Sequence, residues 1–174
     1  RMEDLLTSDV FGCLRYLPPE RALLPFLSAA RSFRGEAIQL PNEATRLHTA
    51  FWPWLNLRGR APCEPDVVLG LEAIGGALHV VAIEAKYRSG IASEEDEGAA
   101  PGNQLARELD TLMGVTAASL GWQGDLRVES RTLVFVTPDV LMPRADMADA
   151  ILEYERKRNT EADIFWTSWR FLPA

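Results

Sequence analysis

The feature of this sequence that most constrains its fold is a nearly continuous apolar run at residues 78–83 (LHVVAI). A half-buried strand alternates apolar and polar residues, whereas a strand covered on both faces is apolar along most of its length. Residues 78–87 are therefore predicted to form a central strand of a sheet that has helices on both faces. Because the run is far shorter than the ~18 apolar residues of a transmembrane helix, no membrane span is predicted.

The other elements are predicted from periodicity and from the positions of proline and glycine. Helices are expected at residues 3–17, 19–34, 104–120 and 143–158, and strands at residues 51–57, 65–72, 130–137 and 163–169. Residues 43–48 are ambiguous and are compatible with a helical turn, Gly75-Gly76 predicts a tight hairpin connection, and residues 89–103 predict a surface loop. This element order predicts a three-layer α/β fold with a mixed central sheet of about five strands flanked by helices.

The composition is that of one globular domain, with 174 residues of which 47% are hydrophobic and 25% are charged. Arg1 precedes Met2, so the chain either is part of a longer protein or carries an extra residue. Cys13 and Cys63 form no disulfide framework, and residues 1–6 lack the pattern of a signal peptide. A cytoplasmic location is the simpler interpretation.

The charge balance restricts the class of function. The chain has 18 basic and 25 acidic residues, for a net charge of −7. A protein that coats nucleic acid non-specifically is usually basic, because counterion release drives such binding. The acidic charge does not exclude an enzyme whose carboxylates bind metal ions, since bound cations change the local field.

Several charged residues are predicted to meet at one end of the sheet. Asp66 begins one predicted strand, and Glu84 and Lys86 lie near the end of the next. Asp66 lies nine residues before Gly75 and Glu84 lies eight after Gly76, so a hairpin would place the two acids opposite each other within about one residue. Because strand side chains alternate between faces, Glu84 and Lys86 should point the same way.

This charge pattern indicates a cation site. A carboxylate at the end of a buried strand is unfavourable unless it is paired or bound to a cation, and two adjacent carboxylates repel each other. Mg²⁺ fits, because it takes one or two carboxylates, keeps several waters and adds phosphate oxygens. Lys86 would orient a water or meet developing negative charge. Glu3 shares a helix face with Leu6 and Val10, so it would bring a further acid to the edge of the core.

The motif Pro65-Asp66, followed by Glu84-x-Lys86 and preceded by Glu3 on a helix, resembles the PD-(D/E)xK nuclease superfamily, which has the restriction-endonuclease-like fold. The resemblance extends from Glu3 to about residue 137, although the motif residues are few. It implies that Asp66, Glu84 and Glu3 bind Mg²⁺ or Mn²⁺ and that Lys86 assists the attacking water. The implied activity is that of a metal-dependent endo- or exodeoxyribonuclease, with DNA as the nucleic-acid partner.

The resemblance and the predicted surface add weaker candidates. The resemblance implies a supporting role for Gln104, which lies on the helix after the third predicted strand. Some subgroups have a tyrosine after that glutamine, but Glu108 and its neighbour occupy the region here, which leaves the subgroup open. Phosphate contacts are a further candidate role for Arg58, Arg60 and Arg88. These residues are equally well explained as ordinary loop arginines.

Two other functions remain open at this point. One is a catalytically silent nuclease-like domain that acts as a binding or interaction module, which the acidic charge favours. The other is an α/β protein without a site, in which Glu84 and Lys86 form an exposed ion pair and Glu3 is simply favoured at a helix start. A homodimer is also left open, because many nucleases cut duplexes as dimers but no interface is visible in the sequence.

Overall fold

The described part of the chain folds around one open, mixed sheet of six strands. The computed structural model describes the backbone of residues 2–87 and 100–172 and the side chains of residues 5–87 and 100–172. The strands are β1 (Arg31–Ser32), β2 (Arg46–Phe51), β3 (Val67–Glu72), β4 (Ala77–Ala85), β5 (Arg127–Thr137) and β6 (Phe165–Ser168). Their order across the sheet is β1-β6-β5-β4-β3-β2, so the predicted central strand is in the middle.

Strands β2, β3 and β4 form an antiparallel meander, and β4, β5 and β6 run parallel to one another. A tight turn at Ile74–Gly76 joins β3 to β4, and Gly75 and Gly76 have φ values of +81° and +76°. A side chain on Gly76 would place its Cβ 2.4 Å from the carbonyl oxygen of Asp125. The predicted hairpin is therefore confirmed, and glycine is needed at its second position for both reasons.

Helices cover both faces of the sheet. The α-helices of the described residues are α1 (Met2–Leu14), α2 (Leu23–Ser28), α3 (Gln104–Leu112) and α4 (Arg144–Arg158). Val80 and Ala82 of β4 pack in a core cluster with residues of α3 and α4, whereas Val81 and Ile83 pack in a second cluster with residues of α1 and α2. The α/β class and the burial of β4 on both faces are as predicted. No described helix has the length and apolar character that crossing a bilayer needs.

Three predicted helices are too long, and the one expected at residues 3–17 ends at Leu14 as α1. The segment predicted as a helix at residues 19–34 contains a short 3₁₀ turn and α2, and β1 follows and pairs with β6. The Oγ atom of Ser32 accepts hydrogen bonds from the backbone N–H groups of Arg34 and Glu36, which favours a turn over a helix. The helix predicted at residues 104–120 ends with α3, and Val115 enters the core beyond it.

The prediction for the second strand of the sheet is shifted in sequence. A strand was expected at residues 51–57, whereas β2 ends where that segment begins and includes part of the ambiguous segment before it. Trp52 has a φ of +44° and Pro53 lacks an N–H donor, so the regular ladder cannot continue. Beyond it, Leu55 pairs with Cys63 in an isolated antiparallel bridge outside the named strands. Of the loop expected at residues 89–103, positions 89–99 lie outside the described residues.

Candidate active site

Asp66 and Glu84 lie opposite each other at one end of the sheet. The register of β3 and β4 pairs Val67 with Ile83, so the next position places Asp66 across from Glu84. The Oδ2 atom of Asp66 accepts a hydrogen bond of 2.8 Å from the backbone N–H of Ala85. Two acids that are 18 residues apart in the sequence therefore lie side by side, because the tight hairpin sets the register.

Lys86 follows β4 directly and contacts Glu84. The Lys86 Nζ atom is 2.7 Å from Oε1 of Glu84, and the exposed fractions of the two side chains are 16% and 3%. The Lys86 backbone N–H donates to the carbonyl of Val136, which keeps the residue in register with β5. The pair is therefore largely buried. An α/β protein without a site was expected to have Glu84 and Lys86 as an exposed ion pair.

Helix α3 brings an amide and a third carboxyl group to the two strand acids. The Nε2 atom of Gln104, at the first position of α3, donates to Oε1 of Glu84 at 2.6 Å and to Oε1 of Glu108 at 2.9 Å. Asn103 caps the helix by accepting from the backbone N–H of Ala106 at 3.3 Å. Glu108 is 2% exposed, and its Oε2 atom has no hydrogen-bond partner among the described residues. Gln104 therefore bridges two buried carboxyl groups.

The proximity of these groups changes their protonation. Burial, with a further contribution from the charge of Asp66, raises the pKa of Glu84 to about 7, even though Lys86 opposes the shift. Burial and the charge of Glu84 raise the pKa of Glu108 well above its usual range. Burial alone would lower the pKa of Lys86, but the surrounding carboxylates, chiefly Glu84, outweigh that effect and raise it. Burial and the charge of Glu84 thus favour the neutral acid form of Glu108, whereas the surrounding carboxylates favour the ammonium form of Lys86.

The donor set at this end of the sheet fits a small divalent cation. Asp66 and Glu84 supply two carboxylates, and Mg²⁺ is commonly bound by one or two carboxylates together with water and substrate oxygens. Among residues 5–87 and 100–172, no group of three or more His, Cys, Asp or Glu side chains has the arrangement of a metal site. A complete cage of described side chains is therefore excluded, and the other positions around a cation would belong to water and substrate.

Glu3, the predicted third acid, belongs to α1, but its side chain lies outside the described residues. The remainder of α1 packs through Phe11 and Leu14 in the second core cluster, across the sheet from α3. The predicted role of Glu3 as a metal ligand therefore stays a prediction.

The three arginines predicted to contact phosphate have different environments. Arg60 forms an ion pair with Asp110, a fully buried residue that also accepts a hydrogen bond of 2.6 Å from Nε of Arg158. Arg60 thus anchors the β2–β3 connection to α3 and α4. Arg58 is exposed, and Arg88 lies outside the described residues.

A pocket of about 400 Å³ borders the carboxyl groups. Its polar and aromatic lining comes from the β2–β3 connection and from α3 and comprises Trp54, Cys63, Glu64, Gln104, Arg107 and Glu108. Burial raises the pKa of Cys63 to about 12, so its thiol is not a nucleophile at neutral pH. Cys63 therefore gives the pocket no nucleophile at neutral pH.

Glu108 is the member of this cluster to which sequence reasoning gave no role. A usable signal was present, because Glu108 lies one helical turn after Gln104 and beside the buried residues Leu105, Leu109 and Leu112. A glutamate at such a position needs a partner, and the glutamine four residues earlier is the obvious one.

Comparisons with known proteins add no relative: no family model, curated protein or solved structure matches the chain. Any assignment of function therefore depends on the site residues and on the geometry around them.

Proposed function

We propose that this chain is a metal-dependent nuclease of the restriction-endonuclease-like type, which hydrolyses phosphodiester bonds in DNA. The observation that carries the proposal is the meeting of Asp66, Glu84 and Lys86 at one sheet end, with Lys86 Nζ 2.7 Å from Glu84. The order of α1, the β2–β4 meander, α3 and the parallel strand β5 agrees with the fold that the resemblance implies.

Each group of the site has a defined task in this proposal. Asp66 and Glu84 would hold Mg²⁺ or Mn²⁺, which when bound would neutralise the scissile phosphate and promote ionisation of a bound water. The hydrogen bond from Ala85 fixes one oxygen of Asp66 and so orients its carboxylate. Gln104 fixes Oε1 of Glu84 in the same way. Lys86 then positions the attacking water or stabilises negative charge that develops on the phosphate.

A catalytically silent nuclease-like domain that acts as a binding module is the second candidate. The contact between Lys86 and Glu84 favours it, because an ammonium group at 2.7 Å can neutralise Glu84 in place of a cation. The net charge of −7 also favours it, since such a surface repels a polyanion. The two candidates differ in whether Asp66 and Glu84 bind a divalent ion.

The first test is cleavage of plasmid and linear DNA by the purified protein with Mg²⁺ or Mn²⁺. Lys86→Ala is expected to lower the rate roughly 10²–10³-fold, the usual effect of removing one preorganised stabilising group. The chain contains only two lysines, so Lys157→Ala on α4 is the matched control and is expected to retain the parent rate. Equal cleavage by Lys86→Ala and the parent would overturn the mechanism.

The second test separates the two candidates by calorimetric titration with Mg²⁺ and Mn²⁺. The nuclease proposal expects binding that is lost in Asp66→Ala and kept in Glu64→Gln, which changes an exposed acid two residues away. Absence of both metal binding and cleavage in the parent protein would favour the silent module.

A further inference from the structure

Trp54 is exposed on the wall of the pocket beside the carboxyl groups. Its exposed fraction is 64%, although burial of an indole is normally favourable. The backbone on both sides of Trp54 is held in place: Leu55 and Cys63 exchange two hydrogen bonds of 2.9 and 3.0 Å, and the N–H of Trp52 donates to the carbonyl of Asp66 at 3.0 Å. The connection that carries the indole is therefore fixed relative to a proposed metal ligand.

The same pocket has a polar group of fixed orientation. Both amide hydrogens of Gln104 are directed at carboxyl groups, those of Glu84 and Glu108. The carbonyl Oε1 lies at the other end of the same planar amide, so the two contacts of Nε2 also fix its orientation. Gln104 also lines the pocket. A ligand there would meet an aromatic face at Trp54 and a hydrogen-bond acceptor at Gln104.

These features favour a flat, neutral ring as the occupant. The volume of about 400 Å³ falls within the range of roughly 300–1,000 Å³ that is usual for ligand pockets. Arg107 and Glu64 give the lining charges of both signs, so charge alone favours neither an anion nor a cation, whereas an uncharged ring stacks on the Trp54 indole without a charge requirement. Exocyclic amino groups of nucleobases are donors that an amide oxygen accepts.

We propose that this pocket binds one unstacked nucleobase, with Trp54 as its stacking surface and Gln104 as its hydrogen-bond acceptor, so that the substrate is single-stranded DNA. The inference rests on the proposed nuclease function. A base within a duplex presents only its edges, because neighbouring base pairs cover its faces, and a stack on Trp54 needs an open face. Gln104 contacts both the pocket and Glu84, so the bound nucleotide lies next to the proposed cation site.

The test is fluorescence anisotropy with short labelled oligonucleotides, in the Lys86→Ala background and with Mg²⁺ present, so that cleavage does not consume the probe. Single-stranded DNA is expected to bind more tightly than the corresponding duplex. Tighter binding of the single-stranded RNA of the same sequence would overturn the assignment of DNA as the substrate. Adding Trp54→Ala is expected to weaken single-strand binding roughly 5- to 150-fold, the range for loss of one base–aromatic stack. Trp54→Phe should retain most of the affinity. Tyr16→Ala removes an aromatic side chain that is also exposed but lies outside the pocket lining, and it is expected to have no effect.

A second measurement does not depend on the alanine variant. Titration with deoxycytidine monophosphate is expected to quench tryptophan fluorescence in the parent protein, and the quenching should be absent in Trp54→Phe. Equal affinity for single and double strands, or unchanged binding and quenching on substitution of Trp54, would overturn the inference.

The two proposals can fail separately. If cleavage depends on Lys86 while Trp54 has no effect, the nuclease stands and the nucleobase pocket does not. If Trp54-dependent binding of single strands is found without cleavage, the pocket stands and the nuclease does not.

Discussion

Replacement of Glu84 by glutamine is expected to stabilise the metal-free protein, by an amount that grows with pH. Burial and the charge of Asp66 raise the pKa of Glu84 from 4.5 to about 7. The folded protein therefore holds this proton more tightly than the unfolded chain does, and folding stability falls as the pH rises through this interval. Each pKa unit corresponds to about 1.36 kcal/mol, so ionised Glu84 costs the folded state roughly 3 kcal/mol above pH 7.

The variant Glu84→Gln keeps an oxygen that can accept hydrogen bonds from Lys86 and Gln104 but never carries the charge. We expect its free energy of unfolding to match the parent value near pH 4.5 and to exceed it by about 2–3 kcal/mol at pH 8. In a chain of this length, that corresponds to a rise of roughly 5–10 °C in Tm. The variant should at the same time lose divalent-metal binding, because one of the two strand carboxylates is gone.

The measurement is urea unfolding in the presence of a chelator at several pH values between 4.5 and 8. Glu64→Gln is the matched control, because Glu64 is an exposed acid close to Asp66, and no pH-dependent gain is expected from it. A Glu84→Gln variant that is less stable than the parent at pH 8, or that shows the same difference at both ends of the range, would refute the reasoning.

Three further predictions concern the framework around the site. Asp110→Ala is expected to lower the free energy of unfolding by about 3–5 kcal/mol in urea titrations, because its two arginine partners lose a fully buried counter-ion. Gly76→Ala should lower Tm more than Gly75→Ala, since both positions have positive φ but only the former would force a Cβ against a backbone carbonyl. Cys13 should react quickly with a thiol reagent in the folded protein and Cys63 slowly, because Cys63 is buried and burial raises its pKa to about 12.

The part of the site carried by strands could be predicted because it depends on local information. Gly75 and Gly76 favour a tight connection, and a tight connection sets the register of the two strands that it joins. Once the register is set, the two-residue period of a strand decides which side chains share a face. Asp66, Glu84 and Lys86 could thus be placed together without any knowledge of the rest of the fold.

The contribution of the helices and long connections could not be predicted in the same way. The contacts of Gln104 with Glu84, and of Arg60 with Asp110, join residues that are 20 and 50 positions apart and come from elements whose docking is set by packing. The boundaries of β2 and α3 were misplaced for the same reason, because the departure of Trp52 from the ladder and the entry of Val115 into the core are tertiary effects. Local propensity gives no signal for either.

The cluster as a whole favours a binding role over a structural one. Three carboxyl groups, those of Asp66, Glu84 and Glu108, share one lysine at the end of a strand that is otherwise apolar, and ionised Glu84 alone costs roughly 3 kcal/mol of the ~5–15 kcal/mol that stabilises a typical domain. Apolar residues of similar volume would serve the core at least as well. Strand β4 is largely apolar until Glu84, near its end. At that position a bound ligand would offset the free-energy cost of burying a carboxylate. A divalent cation would offset both the burial of Glu84 and its repulsion by Asp66, the two causes that raise the pKa of Glu84. The same charges that destabilise the metal-free protein are therefore the ones that would bind the ion.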